Sequence, residues 1–161
     1  MRLGFFTACL PWLSLDDIAT WAAASGYDAL EVAAWPAAGD RSFTTSHLDV
    51  AGLGGGEAER VQALFDSHGL ELSSLGFYDN NLHPDPAVRT ATHQHLRACI
   101  DAAAVLGCPT VGTFVGRDPT QPVADNLRQG ERVFAPLGDR AGERKAAVAA
   151  VTRSCPRPAA P

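Results

Sequence analysis

The feature that most constrains this 161-residue sequence is a unit that occurs three times: an amphipathic helix, a small turn, a short apolar strand and a polar or aromatic cluster. The three units end at residues 26–36, 69–80 and 107–118. An apolar stretch at residues 2–7 adds an opening strand. Because strands that alternate with helices form parallel sheets, the sequence predicts an α/β fold with at least four parallel strands.

The length of the chain limits how far this array can extend. A βα array that closes into a barrel has about eight units and roughly 200 residues or more. The sequence therefore predicts parallel βα repeats that form the first half of a barrel, with four to five units. A doubly wound sheet is the alternative, although residues 6–11 lack the glycine-rich first turn that nucleotide-binding sheets use.

The composition of the chain limits the classes of molecule that it is expected to bind. The 13 Lys and Arg residues are outnumbered by 18 Asp and Glu residues and are not clustered, so we expect no binding to nucleic acid. Pro11 interrupts the apolar start, and no stretch approaches the length of about 20 residues that crosses a bilayer. We therefore expect a cytoplasmic chain without a membrane partner.

The four cysteines lack metal-site spacing and are interpreted as reduced core residues: Cys9, Cys99, Cys108 and Cys155.

Local signals set the expected element boundaries. Ser14 is predicted to cap a helix over residues 15–25, and further helices are predicted at 57–68, 87–106 and from 123 to 137 or 144. Strands are predicted at 29–33, 71–77 and 110–115. Residues 145–161 contain three prolines and no acidic residue, so they are predicted to form a degenerate fifth strand or a disordered tail after a domain at residues 1–144.

Candidate site residues follow from the rule that parallel βα folds bind ligands at the carboxyl ends of their strands. The residues selected are Glu31, Trp35, Arg41, His47, Tyr78, Asn80, His83, Thr113 and Arg117. Aromatic faces stack on the C–H groups of sugars, and the polar side chains bond hydroxyls or phosphate. The expected ligand is a small polyol. No motif for covalent catalysis is present, so the catalytic residues stay unassigned.

Two histidines on the third predicted helix invite a metal-site interpretation. His93 and His95 are two residues apart, so they point about 200° away from each other around a helix and cannot share one ion. We interpret them as solvent-facing or packing residues.

Several segments together resemble the sugar phosphate isomerase/epimerase family, the xylose isomerase-like TIM barrels. They are residues 1–5, 26–32, 35–36, 72–75 and 103–111, and the resemblance covers residues 1 to about 144. It implies half of a (β/α)8 barrel that binds one or two divalent cations, Mn²⁺ or Mg²⁺. It also implies proton transfer between adjacent carbons of a sugar or polyol.

The resemblance further implies that the metal ligands, typically Glu, Asp, His and Glu, come from strands five to eight. Residues 148–156 best match the fifth strand of the family, and Arg153 stands where its first metal-binding Glu is expected. A cation cannot ligate Mg²⁺ or Mn²⁺, so the metal ligands are predicted to be absent from this chain.

Half a barrel also leaves both sheet edges unpaired and its inward face open. We expect Phe5, Leu30, Leu75 and Val111 to lie on that uncovered face. Two hypotheses stay open. The chain is an isomerase or epimerase truncated before its metal-ligand strands, or a non-catalytic half-barrel that binds a polyol or pairs with another chain, as a homodimer or with a complementing half.

Overall fold

The computed structural model describes residues 1–36 and 46–152. The candidate site residue Arg41, together with Arg153 and Cys155, lies outside the described residues. The strands are β1 (Gly4–Phe6), β2 (Ala29–Ala33), β3 (Glu71–Asn80), β4 (Thr110–Phe114) and β5 (Ala147–Val151). The helices are α1 (Leu15–Ala24), α2 (Gly55–His68), α3 (Pro86–Leu106) and α4 (Val123–Glu143), and a 3-10 turn (Thr7–Cys9) follows β1.

The five strands form one open sheet in the order β1-β2-β3-β4-β5, and all neighbours are parallel. This order confirms the predicted partial barrel. The doubly wound alternative is wrong, because the strand order of such a sheet reverses at a switch point, and no reversal occurs along these five strands.

The helix boundaries have identifiable chemical causes. The Ser14 hydroxyl accepts a hydrogen bond from the Asp17 backbone N–H at 3.1 Å, which confirms the predicted cap of α1. Gly69 and Gly107 end α2 and α3 with φ of 63° and 69°, a left-handed conformation that glycine adopts without steric cost. The helices therefore begin and end close to the predicted residues.

The fifth strand pairs with β4 from Thr110 opposite Ala147 to Phe114 opposite Val151. Residues 145–161 were predicted to form either a degenerate fifth strand or a disordered tail. The described part of that segment, residues 145–152, contains a strand. The domain boundary after residue 144 stays a prediction.

The apolar core lies between the sheet and the helices, and this corrects the expected inward face. Leu30, Leu75 and Val111 have no exposed surface and pack in the helix-side core, while Phe5 packs against Trp21 on α1. Side chains alternate between the two faces of a strand. The residues next to these three in sequence, Glu31, Gly76 and Gly112, therefore face the other way. We call their side the concave face.

The structure changes the prediction for one cysteine and decides between the two interpretations of the histidine pair. Cys99 and Cys108 are buried free thiols, as expected, whereas Cys9 is exposed. His93 and His95 donate their Nε2 protons to backbone carbonyl oxygens at 2.8 and 2.7 Å, so both are packing residues. In the described part of the chain, no helix is long and apolar enough to span a membrane.

Candidate functional site

A carboxylate and a phenol form a hydrogen-bonded pair on the concave face. The Tyr78 hydroxyl donates to Glu31 Oε1 at 2.6 Å, so β3 and β2 are joined across this face. Both side chains are half-buried. Burial raises the pKa of Tyr78, and the hydrogen bond to Glu31 and its charge raise it further. The phenol therefore stays a proton donor at neutral pH, and the Glu31 carboxylate accepts.

Two glycines form the floor beneath this pair. A Cβ atom on Gly76 would lie 2.5 Å from Phe6 Cε2 and 3.0 Å from Glu31 Oε1. A Cβ atom on Gly112 would overlap the Tyr78 hydroxyl and lie 2.9 Å from Glu31 Oε1. Only glycine leaves room for these side chains to lie flat over β3 and β4.

Aromatic rings surround Tyr78. The ring centroids of Phe6, Trp35 and Phe114 lie 5.4, 6.4 and 5.0 Å from the Tyr78 centroid. Trp35 is only 8% exposed and also packs against Phe77, so its main role is to support the other rings. The concave face thus combines apolar ring surfaces with one hydrogen-bonded carboxylate.

A cleft of about 490 Å³ runs along the concave face beside Glu31, from Arg2 and Glu71 at its foot to Phe6. A larger cleft of about 810 Å³ lies where the strands begin, around Gly69 and Gly107. The concave cleft also starts at the first residues of β1, β2 and β3, but of these two clefts it alone reaches Glu31 and Phe6, towards the carboxyl ends where parallel βα folds bind ligands. The concave cleft is therefore the better candidate.

His47 lies over the exits of β1 and β2. Its Nδ1 is 2.9 Å from Thr7 Oγ1, and its backbone N–H donates to the Ala33 carbonyl at 2.9 Å. Burial lowers the pKa of His47, and the backbone carbonyls of Leu10 and Leu13 oppose that shift. A neutral imidazole thus anchors the segment that follows β2.

Asn80 joins the exits of β3 and β4. Its Nδ2 donates to the Arg117 carbonyl at 2.8 Å, and its Oδ1 accepts from the backbone N–H groups of Arg117 and Leu82 at 2.8 and 3.0 Å. The amide of Asn80 is therefore engaged with backbone, while the Arg117 side chain is exposed. This clamp places Arg117 at the rim of the sheet.

His83 lies in the β3 exit loop. Its Nδ1 accepts from the Asp85 N–H at 3.1 Å, and its carbonyl accepts from the Arg89 guanidinium at 2.7 Å. The structure thus separates seven of the nine predicted residues into two groups. Glu31, Trp35 and Tyr78 meet on the concave face, and His47, Asn80, His83 and Arg117 lie at strand exits.

Sequence reasoning missed several residues of this region. Phe6, Gly76, Gly112 and Phe114 build the concave face, and the alternation of side chains along each strand could have found them only once Glu31 had been assigned to that face. Asn81 was also missed. It is fully buried and donates to Thr113 Oγ1 at 3.0 Å, so the candidate Thr113 has a structural role on the helix side.

The divalent cation that the family resemblance implies does not fit the described residues. In residues 1–36 and 46–152, no three His, Cys, Asp or Glu side chains are close enough to hold an ion together. Tyr78, the hydrogen-bond partner of Glu31, is a phenol rather than a second carboxylate.

The family described as xylose isomerase-like TIM barrel matches residues 19–151 of this sequence. No curated protein is similar enough to match.

Several solved structures share the fold. The IOLI protein with a bound zinc atom is 15% identical, with a TM-score of 0.70 over 94% of this chain and 51% of that chain. The 3-keto-D-glucoside 4-epimerase YcjR from E. coli is 14% identical, with a TM-score of 0.69 over 93% and 55%. A D-psicose 3-epimerase, solved in the presence of D-fructose, is 18% identical, with a TM-score of 0.64 over 92% and 51%. This chain spans about half the length of these proteins.

Proposed function

Because the chain belongs to the xylose isomerase-like TIM barrel family, we propose that its concave face binds a sugar or a similar polyol for isomerisation or epimerisation. The observation that carries the proposal is the Glu31–Tyr78 pair, held over two glycines and surrounded by aromatic rings. The epimerases that share the fold support the sugar class of ligand.

Each group on the concave face has a role that polyol chemistry requires. Glu31 accepts hydrogen bonds from sugar hydroxyls, because a carboxylate has about four acceptor positions and Tyr78 uses one. A carboxylate in that position can also take a proton from a carbon beside a carbonyl group. The rings of Phe6, Tyr78 and Phe114 offer apolar surface to the C–H face of the sugar.

The residues at the strand exits, which form the rim of the sheet, surround the Glu31–Tyr78 pair and can bind the outer groups of the ligand. We place His83 and Arg117 where they reach outer hydroxyls or a phosphate of the ligand, with His47, Asn80 and Trp35 as positioning residues. Arg41 lies outside the described residues, and its role in binding the ligand stays a prediction from the sequence. A divalent cation such as Mn²⁺ or Mg²⁺ would require ligands from outside the described residues.

A second candidate function is a non-catalytic half-barrel that binds a polyol or pairs with another chain. The observation that favours it is the open sheet, which leaves β1 and β5 without an outer neighbour among the described residues. For either function we place the chain in the cytoplasm. Cys9, Cys99 and Cys108 are free thiols, and a reducing compartment keeps cysteines in that form.

The proposal is tested by titrating D-fructose into the full chain and into Glu31→Gln, with binding followed by ligand-observed NMR. Glu59→Gln, an exposed position on α2, is the matched control. A hydrogen bond to a charged group contributes about 1.5–3 kcal/mol, so Glu31→Gln is expected to weaken binding about 10- to 100-fold. Equal affinity of all three proteins, or no binding of D-fructose to any of them, would contradict the proposal.

A further inference from the structure

Asp118, in the loop that follows β4, carries a carboxylate that its neighbours hold in one place. Its backbone N–H donates to Asn126 Oδ1 at 2.7 Å, and its carbonyl accepts from Asn126 Nδ2 at 3.0 Å. Its Oδ1 accepts from the backbone N–H of Thr120 at 2.9 Å and from the Thr120 hydroxyl at 2.6 Å. Asp118 and Asn126 are only 9% and 8% exposed. The carboxylate is therefore fixed in position although it lies in a loop.

The second oxygen of this carboxylate, Oδ2, accepts no hydrogen bond from any residue that the structure describes. The two bonds from Thr120 lower the pKa of Asp118, and the charges of Arg89 and His83 lower it further, while burial opposes the shift. Asp118 is therefore charged at neutral pH and lies near two basic groups of the β3 exit.

A gap separates the Asp118 carboxylate from these basic groups. Within residues 46–152, neither Arg89 nor His83 forms an ion pair or a hydrogen bond with it. Arg89 instead donates to the His83 carbonyl, and His83 Nδ1 accepts from the Asp85 N–H, so the neutral ring of His83 carries its proton on Nε2. An acceptor on the β4 exit thus lies near donors on the β3 exit. A hydroxyl group suits such a gap, because it can donate to a carboxylate and accept from an N–H group at once.

Asn80 connects this gap to the concave face. It lies opposite Phe114, whose ring centroid is 5.0 Å from that of Tyr78. Its side chain bonds the backbone of Arg117, one residue before the carboxylate, and its carbonyl accepts from the His83 N–H at 3.3 Å. A ligand that lies over Tyr78 and extends past the strand ends therefore meets the gap.

The charges at these two strand exits do not favour a phosphate group. Three carboxylates accompany two guanidinium groups there: Asp79, Asp85 and Asp118 with Arg89 and Arg117. The N-terminus of α3 could attract an anion, but the Asp85 carboxylate already accepts from the Ala87 N–H at 2.7 Å. A phosphate beside Asp118 would be repelled, whereas a hydroxyl would donate to it.

We propose that Asp118 binds a free hydroxyl group at the outer end of the ligand, so that the site takes unphosphorylated sugars or polyols and discriminates against sugar phosphates. Arg89 and His83 supply the donors on the other side of that hydroxyl. The inference rests on the proposed function, because it assigns the ligand class of the same site. It decides between the outer hydroxyl and the phosphate that were both left open for the rim residues.

The test compares D-fructose with D-fructose 6-phosphate, which carries a charged group where the free sugar has a hydroxyl. Both are titrated into the full chain, Asp118→Asn and Asp139→Asn, and binding is followed by ligand-observed NMR. Asparagine keeps an oxygen for both bonds from Thr120, so the loop is expected to stay folded, and circular dichroism checks each variant. Asp139 is exposed near the other end of α4, and Asp139→Asn is the matched control because it removes the same charge.

The wild type and Asp139→Asn are expected to bind D-fructose about tenfold or more tightly than its 6-phosphate. Asp118→Asn is expected to weaken fructose binding about 10- to 100-fold and to remove most of this preference, because it loses both a charged acceptor and a repelling charge. The wild-type comparison needs no variant, so equal or tighter binding of the phosphate would overturn the inference and leave the proposed sugar site standing. A preference that Asp118→Asn leaves unchanged would overturn the role of Asp118. Absence of binding of both ligands would overturn the proposed function together with this inference.

Discussion

Gly112→Ala is expected to lower the free energy of unfolding by about 3 kcal/mol, because the concave face has no space for a methyl group at this position. The added Cβ would overlap the Tyr78 hydroxyl and lie 2.9 Å from Glu31 Oε1. Inserting a methyl group into a packed site costs about 1–3 kcal/mol. Separating the hydrogen-bonded pair costs about 1.5–3 kcal/mol when it is buried, and less here because both side chains are half-exposed.

A double-mutant cycle with Tyr78→Phe identifies the cause. Phenylalanine lacks the hydroxyl that the new methyl group meets, so the cost of Gly112→Ala is expected to fall by at least 1 kcal/mol in the Tyr78→Phe background. Tyr78→Phe alone is expected to cost about 1–2 kcal/mol through the lost bond to Glu31.

Urea unfolding followed by circular dichroism measures all four proteins at one protein concentration. Gly56→Ala is the control, since no atom beyond its chain neighbours and its own turn of helix lies within 4 Å of the added Cβ, and the residue is in the first turn of α2. It is expected to be neutral or stabilising by up to about 1 kcal/mol. A neutral Gly112→Ala, or a cost that Tyr78→Phe does not reduce, would refute the packing assigned to the concave face.

Three further results are expected. Ser14→Ala is expected to destabilise the chain by about 1 kcal/mol through the lost cap of α1, and an unchanged urea midpoint would contradict that role. Burial raises the pKa of Cys99 to about 12, so a thiol reagent at pH 8 reacts quickly with exposed Cys9 and slowly with Cys99, and Cys9→Ser removes a fast phase. Burial lowers the pKa of His47 below its ordinary 6.5, so stability is expected to fall as the pH drops below 6.5; His47→Gln should flatten this dependence, and an identical pH profile would exclude it.

Element positions could be predicted from the sequence because their signals are local. Ser14 caps α1 through a bond to a residue three positions away, and Gly69 and Gly107 end their helices through their own backbone conformation. The parallel order of the strands followed from the alternation of strands and helices. These features need no knowledge of distant parts of the chain.

The inward face of the sheet could not be predicted in the same way. Strand β2 is apolar on both sides of Glu31, so alternation alone does not show which residues meet the helices. The pairing with β3 also shifts register between Leu30 and Glu31, which no local pattern reports. The expectation for Leu30, Leu75 and Val111 was wrong for these reasons.

The roles within the candidate site depend on contacts that are distant in sequence. Asn80 is one of several polar residues after β3, and its function as a clamp appears only when Arg117 on the next strand exit lies beside it. The pairing of Tyr78 with Glu31 similarly joins residues 47 positions apart. The rule that ligands bind at strand exits selected these residues. It could not show which side chains face a ligand and which have a structural role.

The most direct test of the proposed site is to map D-fructose binding residue by residue in ¹H–¹⁵N spectra of the full chain. Glycine amides are well resolved in such spectra and mark both the concave face and the larger cleft. The proposed site predicts dose-dependent shifts at Gly76 and Gly112 on the concave face, and none at Gly69 and Gly107 around the larger cleft. Shifts confined to Gly69 and Gly107, or none at any of the four, would contradict a sugar site on the concave face.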